Sequence, residues 1–325
     1  MVLEKIHPES EEFVDHAMSD TVPIVNLSSG DEEEIVSGLG EGLARFGFVN
    51  LVGHGVEAKL IDRAYACARD FFALSKEVKE RLQDIPSGRQ RGYTPFGVER
   101  AKDRMVGDSK EFWHVGRELP EEHSYRREGF MRPNLWPEEV PGFRETTLAL
   151  FATMDALAAS VLRRVGAFLG SEPDWLPEIA RDGNSILRLI HYPDAGEGSA
   201  QAGSERAAPH EDVNLLTLLP AATAPGLQLL TREGEWLEVN PPEGGIVCDV
   251  GDMMTLLTEG RLSATTHRVV NPSEDPGGSG DGGRLSMPFF LHPRPDAVLS
   301  PPGSDKPGLT AHEFLHARLS ANKVK

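Results

Sequence analysis

Ile186-Leu-Arg-Leu-Ile-His-Tyr192, Leu215-Leu-Thr-Leu-Leu219, Leu227-Gln-Leu-Leu230, Trp236-Leu-Glu-Val239, Ile246-Val-Cys-Asp-Val250, Met253-Met-Thr-Leu-Leu257, Thr265-Thr-His-Arg-Val-Val270 and Leu285-Ser-Met-Pro-Phe-Phe-Leu291 follow one another within about a hundred residues. Each run alternates or is continuously apolar, and turn residues separate nearly every pair. Short β-branched and aromatic runs at this density predict strands of a double-sheet jelly roll or barrel. The spacing predicts eight of them, with Gly251-Asp252 as a tight turn between two strands. Two Gly-, Ser- and Glu-rich segments, Ala195–Pro209 and Asn271–Gly283, read as long loops at the barrel rim.

Outward from this core the pattern changes. Apolar residues at Leu148, Phe151, Met154, Leu157, Val161, Val165 and Phe168 advance by three or four, and Gly170 stands where a helix ends, so 143–169 predicts a long bracing helix. Residues 57–72 repeat the helical spacing, and Ser75 suits the start of a short helix running to Leu82. Val22–Leu27 and Gly47–Val52 read as strands, while 84–141, rich in Arg, Gly and Pro, predicts loops with a few strands. The organisation expected is residues 1–142 as a helical and strand portion, 143–170 as the bracing helix, 184–292 as the jelly roll, and 293–325 as a C-terminal loop and helix.

Composition narrows the function. Thirty-three basic against 51 acidic residues give a net charge of −18, spread along the chain, which repels nucleic acid and anionic membrane surfaces. Two cysteines, Cys67 and Cys248, both in apolar stretches, exclude a disulfide framework and read as buried thiols of a reducing compartment. No apolar run approaches the length of a membrane span or a secretory leader, so a cytoplasmic location is expected. Either a monomer or a homo-oligomer is compatible with this surface.

His210-Glu-Asp212 places an imidazole and a carboxylate on one face of a strand. With 11 histidines and 51 acidic residues in 325, chance alone gives about two His-x-acid triplets. The chain has two, and His7-Pro-Glu9 lacks what surrounds the other. His210 borders the β-rich stretch, and a second imidazole, His267, follows 57 residues later. Two histidines and one carboxylate leave the opposite face of an ion open, as in non-heme Fe(II) oxygenases and in some zinc hydrolases. Arg284-Leu-Ser286 then sets a guanidinium and a hydroxyl on one face of an otherwise apolar run, a pairing suited to a bound carboxylate.

The set Gly226-Leu-Gln-Leu-Leu, Trp236, Val239-Asn-Pro-Pro-Glu-Gly-Gly, Val250-Gly-Asp-Met-Met, Thr-His267-Arg-Val-Val-Asn-Pro272 and Arg284-Leu-Ser286 resembles the Fe(II)/2-oxoglutarate-dependent dioxygenases of the isopenicillin N synthase-like family. Val22–Leu27 and Gly47–Gly55 are similar to that family's first region. The resemblance implies a distorted jelly roll, a double-stranded β-helix with an N-terminal α/β portion. It implies Fe(II) bound by His210, Asp212 and His267, 2-oxoglutarate held through Arg284, Ser286 and Tyr192, and O2 as the oxidant. Ile190 departs from the Asn that many plant members carry two residues before the tyrosine. The family's founding member uses no 2-oxoglutarate, so an oxidase on the same fold is the close alternative, and a non-catalytic small-ligand binding protein the more distant one. Residues 91–117 are similar to the family's substrate-pocket wall and put Tyr93, Phe112 and His114 near a small substrate, amino-acid-like or anionic. Trp236 reads as a core residue, His191 as structural, and His54, between two glycines, as a turn residue packing near the barrel.

Overall fold

The computed structural model describes residues 21–98, 110–193, 205–270, 283–304 and 308–321. The stretches 195–204 and 271–282 of the two expected rim loops lie outside the described residues. In chain order the strands are β1 (Ile24–Asn26), β2 (Phe48–Val52), β3 (Gly92–Thr94), β4 (Glu111–Gly116), β5 (Ile186–Tyr192), β6 (Glu205–His210), β7 (Leu216–Pro220), β8 (Leu227–Leu230), β9 (Trp236–Glu238), β10 (Ile246–Val250), β11 (His267–Val270), β12 (Arg284–Ser286) and β13 (Phe289–Leu291). The helices are α1 (Glu32–Phe46), α2 (Ala58–Phe72), α3 (Lys76–Glu80), α4 (Ser124–Arg127), α5 (Phe143–Phe168), α6 (Trp175–Ala180), α7 (Asp252–Leu257) and α8 (Ala311–Ala321).

Two sheets face each other in a jelly-roll plan. The larger runs β1-β2-β10-β7-β13-β5-β4-β3, with β12 also paired to β5, and the smaller runs β6-β11-β8-β9. Four strands of the larger sheet come from before residue 142, so the N-terminal portion and the jelly roll share one sheet.

Strand alternation sorts the larger sheet's side chains into two cores. Trp113, Val115, Leu187, Leu189, Leu216, Leu218, Ile246 and Cys248 face outward onto α1, α2 and α5. Phe112, Ile190, Tyr192, Phe48 and Val247 face inward, where they meet Ala207, Leu227, Leu229 and Val269 of the smaller sheet. The predicted stripe of α5 is the main brace: Leu150, Met154, Val161 and Val165 are fully buried, each worth about 1.5–3 kcal/mol by transfer from water. Gly170, at φ +72°, closes the helix: its N–H bonds to Ala167 O and that of Ser171 to Gly166 O, both at 3.0 Å. This left-handed turn is the one glycine adopts without strain.

Several expectations are corrected. Met253–Leu257 belongs to a helix, α7, and Gly251-Asp252 is a strand-to-helix turn. Residues 205–209, expected in a loop, form most of β6, and Leu285–Leu291 is broken into β12 and β13 around Met287-Pro288. Cys248 is buried, but Cys67 is only half-buried. Trp236 is half-buried in the smaller sheet under the Arg268 guanidinium, 3.9 Å from the ring centre.

Candidate active site

Register brings the two separated imidazoles together. β11 pairs with β6 so that His267 lies directly opposite His210, with ring centres 4.4 Å apart. Asp212 follows β6, and one ligand atom from each of His210, Asp212 and His267 falls within 4.8 Å of the others. Asp212 Oδ1 lies 3.8 Å from His210 Nε2 and 3.9 Å from His267 Nε2.

Each side chain has its other polar atom engaged. His210 Nδ1 lies 2.7 Å from Ala208 O and His267 Nδ1 3.2 Å from Thr265 O, so each ring can donate Nδ1–H and keep its Nε2 lone pair for an ion. The Thr217 hydroxyl donates to Asp212 Oδ2 and itself accepts from Asn214 Nδ2 at 2.9 Å. Partial burial of the ring and the facing His267 lower the His210 pKa, which favours the neutral imidazole that offers its Nε2 lone pair. Three lone pairs on one side of a common point, two nitrogen and one oxygen, fit a divalent transition metal.

The turn after β10 fixes the loop that carries Asp212. Asp252 N–H bonds to Asp212 O at 2.7 Å, Met253 N–H to Asn214 O at 3.0 Å and Gly251 N–H to Leu215 O at 3.1 Å. A Cβ on Gly251 would lie 2.2 Å from Asn214 O, so the backbones come this close only with glycine there. Sequence reasoning assigned Thr217 and Asn214 no role. The polarity of Thr217 within the apolar run Leu215–Leu219, and of Asn214 just before it, was the available signal.

Arg284 and Ser286 stand opposite Tyr192 and Ile190 of β5 and share their inward face. Arg284 is 2% exposed. Its Nε donates to Ala224 O at 2.9 Å and its guanidinium lies 5.2 Å from the Tyr192 ring centre. Nη1 is buried without a hydrogen-bond partner among the described residues, and the side chain lines a cavity of about 180 Å³ between the sheets, bounded by Leu219, Leu227, Val239 and Val247. Burial lowers the Arg284 pKa, opposed by Tyr192 and Tyr65. A buried, incompletely paired cation beside a cavity fits an incoming carboxylate.

The three expected pocket residues separate. Phe112 and His114 face the barrel interior, but Tyr93 pairs with Trp113 and faces the helices. There its hydroxyl donates to Glu111 Oε2 at 2.5 Å, beside Lys79, which also reaches Glu111 at 2.8 Å. His191 joins this cluster from β5, 2.8 Å from Glu111 Oε1, in keeping with its structural reading. His54 bridges a turn, with Nδ1 accepting from Val56 N–H and Nε2 2.8 Å from Gly244 O.

Residues 22–139 match the family described as non-haem dioxygenase in morphine synthesis N-terminal, and residues 183–293 match the 2OG-Fe(II) oxygenase superfamily. A 2-oxoglutarate-dependent dioxygenase of Didymella fabae is 30% identical, over 92% of this chain and 93% of its own. The crystal structure of a 2OG-Fe(II) oxygenase family protein from Caulobacter crescentus superposes with a TM-score of 0.82 at 38% identity, covering 94% of this chain and 100% of that one. Full-length Neurospora crassa T7H in complex with alpha-KG gives 0.76 at 25% identity, with coverages of 91% and 95%. No described helix is long and apolar enough to cross a membrane. The chain belongs to the 2OG-Fe(II) oxygenase superfamily and is an oxidoreductase that couples 2-oxoglutarate and O2 to the oxidation of a small molecule.

Proposed function

We propose that in this oxygenase His210, Asp212 and His267 hold Fe(II), while Arg284, Ser286 and Tyr192 hold the far carboxylate of 2-oxoglutarate. The observation that carries the assignment is the pairing of two complementary sites on one interior surface: three converging lone pairs, and a buried guanidinium with an unpartnered Nη1 beside a cavity. Bound Fe(II) would let O2 serve as the four-electron oxidant: 2-oxoglutarate gives up two electrons and leaves as succinate and CO2, and the substrate gives up the other two in hydroxylation, desaturation or ring closure.

The chain's own part is orientation and exclusion of water. Ala224 O and Tyr192 aim the Arg284 fork into the cavity. Thr217 turns Asp212 so that Oδ1 faces the imidazoles. Phe48 packs edge-on against His267 with ring centres 5.5 Å apart and keeps that side dry. Phe112 and His114 remain on the substrate side, whereas Tyr93, on the far face, supports the sheet. We further place the chain in the isopenicillin N synthase-like branch on its Arg284-Leu-Ser286 motif, and in the cytoplasm on its two free cysteines. We read its four segments, 1–142, 143–170, 184–292 and 293–325, as one cooperative unit joined through the larger sheet.

Anaerobic titration of the Fe(II)-loaded protein with 2-oxoglutarate tests the assignment. A visible charge-transfer band should grow in wild type, and Arg284→Ala should need about a hundredfold more 2-oxoglutarate to reach it, the scale of a lost charged hydrogen-bond pair. Iron bound with no band in wild type would remove 2-oxoglutarate from the scheme. An unchanged titration in the variant would remove Arg284.

A further inference from the structure

The cavity beside Arg284 does not end inside the barrel. Its lining runs from Val247 and Arg284, 1% and 2% exposed, out to Pro225 and Asn240 on the surface, so it joins the barrel interior to solvent. The outer end lies between two connections, 221–226 after β7 and 239–245 after β9. Both stand at the end of the barrel opposite the metal set. His267, the first residue of β11, pairs with Leu229 of β8, and Val269 pairs with Leu227. Leu227 is therefore roughly 7 Å along the strand from the level of His267, and Gly226 lies beyond it, its O accepting from Val270 N–H at 2.9 Å. The connections around His210, Asp212 and His267 are different ones, 211–215 after β6 and 251–266 before β11. The barrel thus has two mouths, one at the metal set and one behind Arg284.

The second mouth has a fixed frame. Tyr65 of α2 donates its hydroxyl to Ala221 O at 3.0 Å. Thr223 N–H donates to Leu285 O at 3.1 Å, and its hydroxyl accepts from Leu285 N–H at 2.9 Å. Ala221 N–H bonds across to Gly245 O at 3.3 Å. The first connection is therefore tied to α2, to β12, to β11 and to the second connection. Within that frame Ala221, Ala222 and Ala224 carry one side-chain carbon each, and Asn240 turns its amide back to Glu238 at 3.2 Å, so the opening is left by small side chains. Arg284 is the one charged side chain in the lining, with aliphatic walls on the way to it that offer a carboxylate no competing partner. A dicarboxylate that arrives from this end travels with its keto acid foremost toward His210, Asp212 and His267. Its far carboxylate reaches Arg284 last, which is the bound orientation without a turn inside the barrel.

We propose that 2-oxoglutarate enters and succinate leaves through this passage behind Arg284, while the substrate uses the mouth at the metal set. Seated 2-oxoglutarate closes the inner end of the passage, and co-substrate exchange does not wait for the substrate to move. The inference rests on the assignment of Arg284 above and adds the route to that site.

Anaerobic stopped-flow mixing of the Fe(II)-loaded protein with 2-oxoglutarate tests it. The rate at which the charge-transfer band grows, plotted against concentration, gives association as its slope and dissociation as its intercept. Ala222→Trp and Asn240→Trp narrow the passage at its wall and at its rim. Both rates should fall by the same factor, about tenfold or more, and the half-saturation concentration should stay within twofold of wild type. A damaged binding site changes the ratio of the two rates, whereas an obstructed route does not. Asn240→Cys allows the obstruction to be added to the folded holoenzyme: a bulky maleimide should slow both rates and a carbamidomethyl group should not, with wild type treated in the same way as the control for Cys67. Unchanged rates in the maleimide adduct overturn the proposal whether or not the tryptophan variants fold, and so does slowing that comes with a shifted half-saturation. A normal wild-type band with rates indifferent to every obstruction rejects the passage alone, whereas a missing band in wild type rejects the underlying assignment.

Discussion

At the end of the barrel interior formed by His210, Asp212 and His267, each side chain has its second polar atom tied to the protein, to Ala208 O, Thr217 Oγ1 and Thr265 O respectively. At the Arg284 end only Nε is tied down, to Ala224 O, and Nη1 has no partner among the described residues. The first arrangement leaves one lone pair per residue, so three groups act on one ion, and removing any of them removes a third of the donor set. The second depends on one cation delivered by strand register, with Tyr192 beside it as support. Damage at the first end should be nearly all-or-none and damage at the second graded.

The largest effect belongs to Asp212→Ala. Iron retained after desalting and succinate formation should both fall below detection, because the variant keeps two neutral imidazoles and no charge to offset the ion's desolvation. Iron-dependent product formation by that variant would break the contrast. Loss of Arg284 comes next, with iron retained and only the co-substrate affinity reduced. Thr217→Val sharpens the distinction further. It deletes the hydroxyl that turns Asp212 without touching a ligand atom, and a supporting contact of this kind is worth about 10–100-fold in metal affinity. Competition with a chelator reads that change, and an unaltered Fe(II) affinity would mean that the Asp252 and Met253 main-chain bonds hold the loop unaided.

How much of this was legible in the sequence follows the same division between local and non-local information. Ile186–Tyr192, Leu227–Leu230 and Ile246–Val250 form strands with the bounds their residues suggest, because β-branched and leucine-rich runs flanked by turn residues suit a buried pleated surface. β6 was missed because Glu-Arg-Ala-Ala-Pro-His lacks that composition and contains a proline. It lies at the edge of the smaller sheet, where a missing N–H is tolerated. Met253–Leu257 is five residues long, too short for a period to separate helix from strand, and the Gly251 contact with Asn214 decides it. The metal set was readable from the His-x-Asp spacing beside a β-rich stretch, although Asp212 lies past the end of β6, in the loop held by the turn after β10, rather than on the strand expected for it. Tyr93 was misplaced beside Phe112 and His114 because its face depends on pairing with Trp113, a register that the local sequence does not encode.

The smallest effect tests whether the Arg284 end is as loosely built as the contrast implies. Tyr192 supports Arg284 in two ways, through its ring 5.2 Å from the guanidinium and through its side-chain polarity, which favours the charged guanidinium. Tyr192→Phe keeps the ring and deletes the hydroxyl, which at the ordinary worth of one hydrogen bond, about 0.5–1.5 kcal/mol, raises the 2-oxoglutarate concentration needed for half-saturation roughly two- to tenfold. Iron affinity should not move, since Tyr192 touches none of the three ligands. A rise as large as that of Arg284→Ala would make the hydroxyl, rather than the guanidinium, the principal contact of the carboxylate. No rise at all would leave the ring as the only support, and Tyr192→Leu, which removes the face on which the cation rests, would then carry the larger loss.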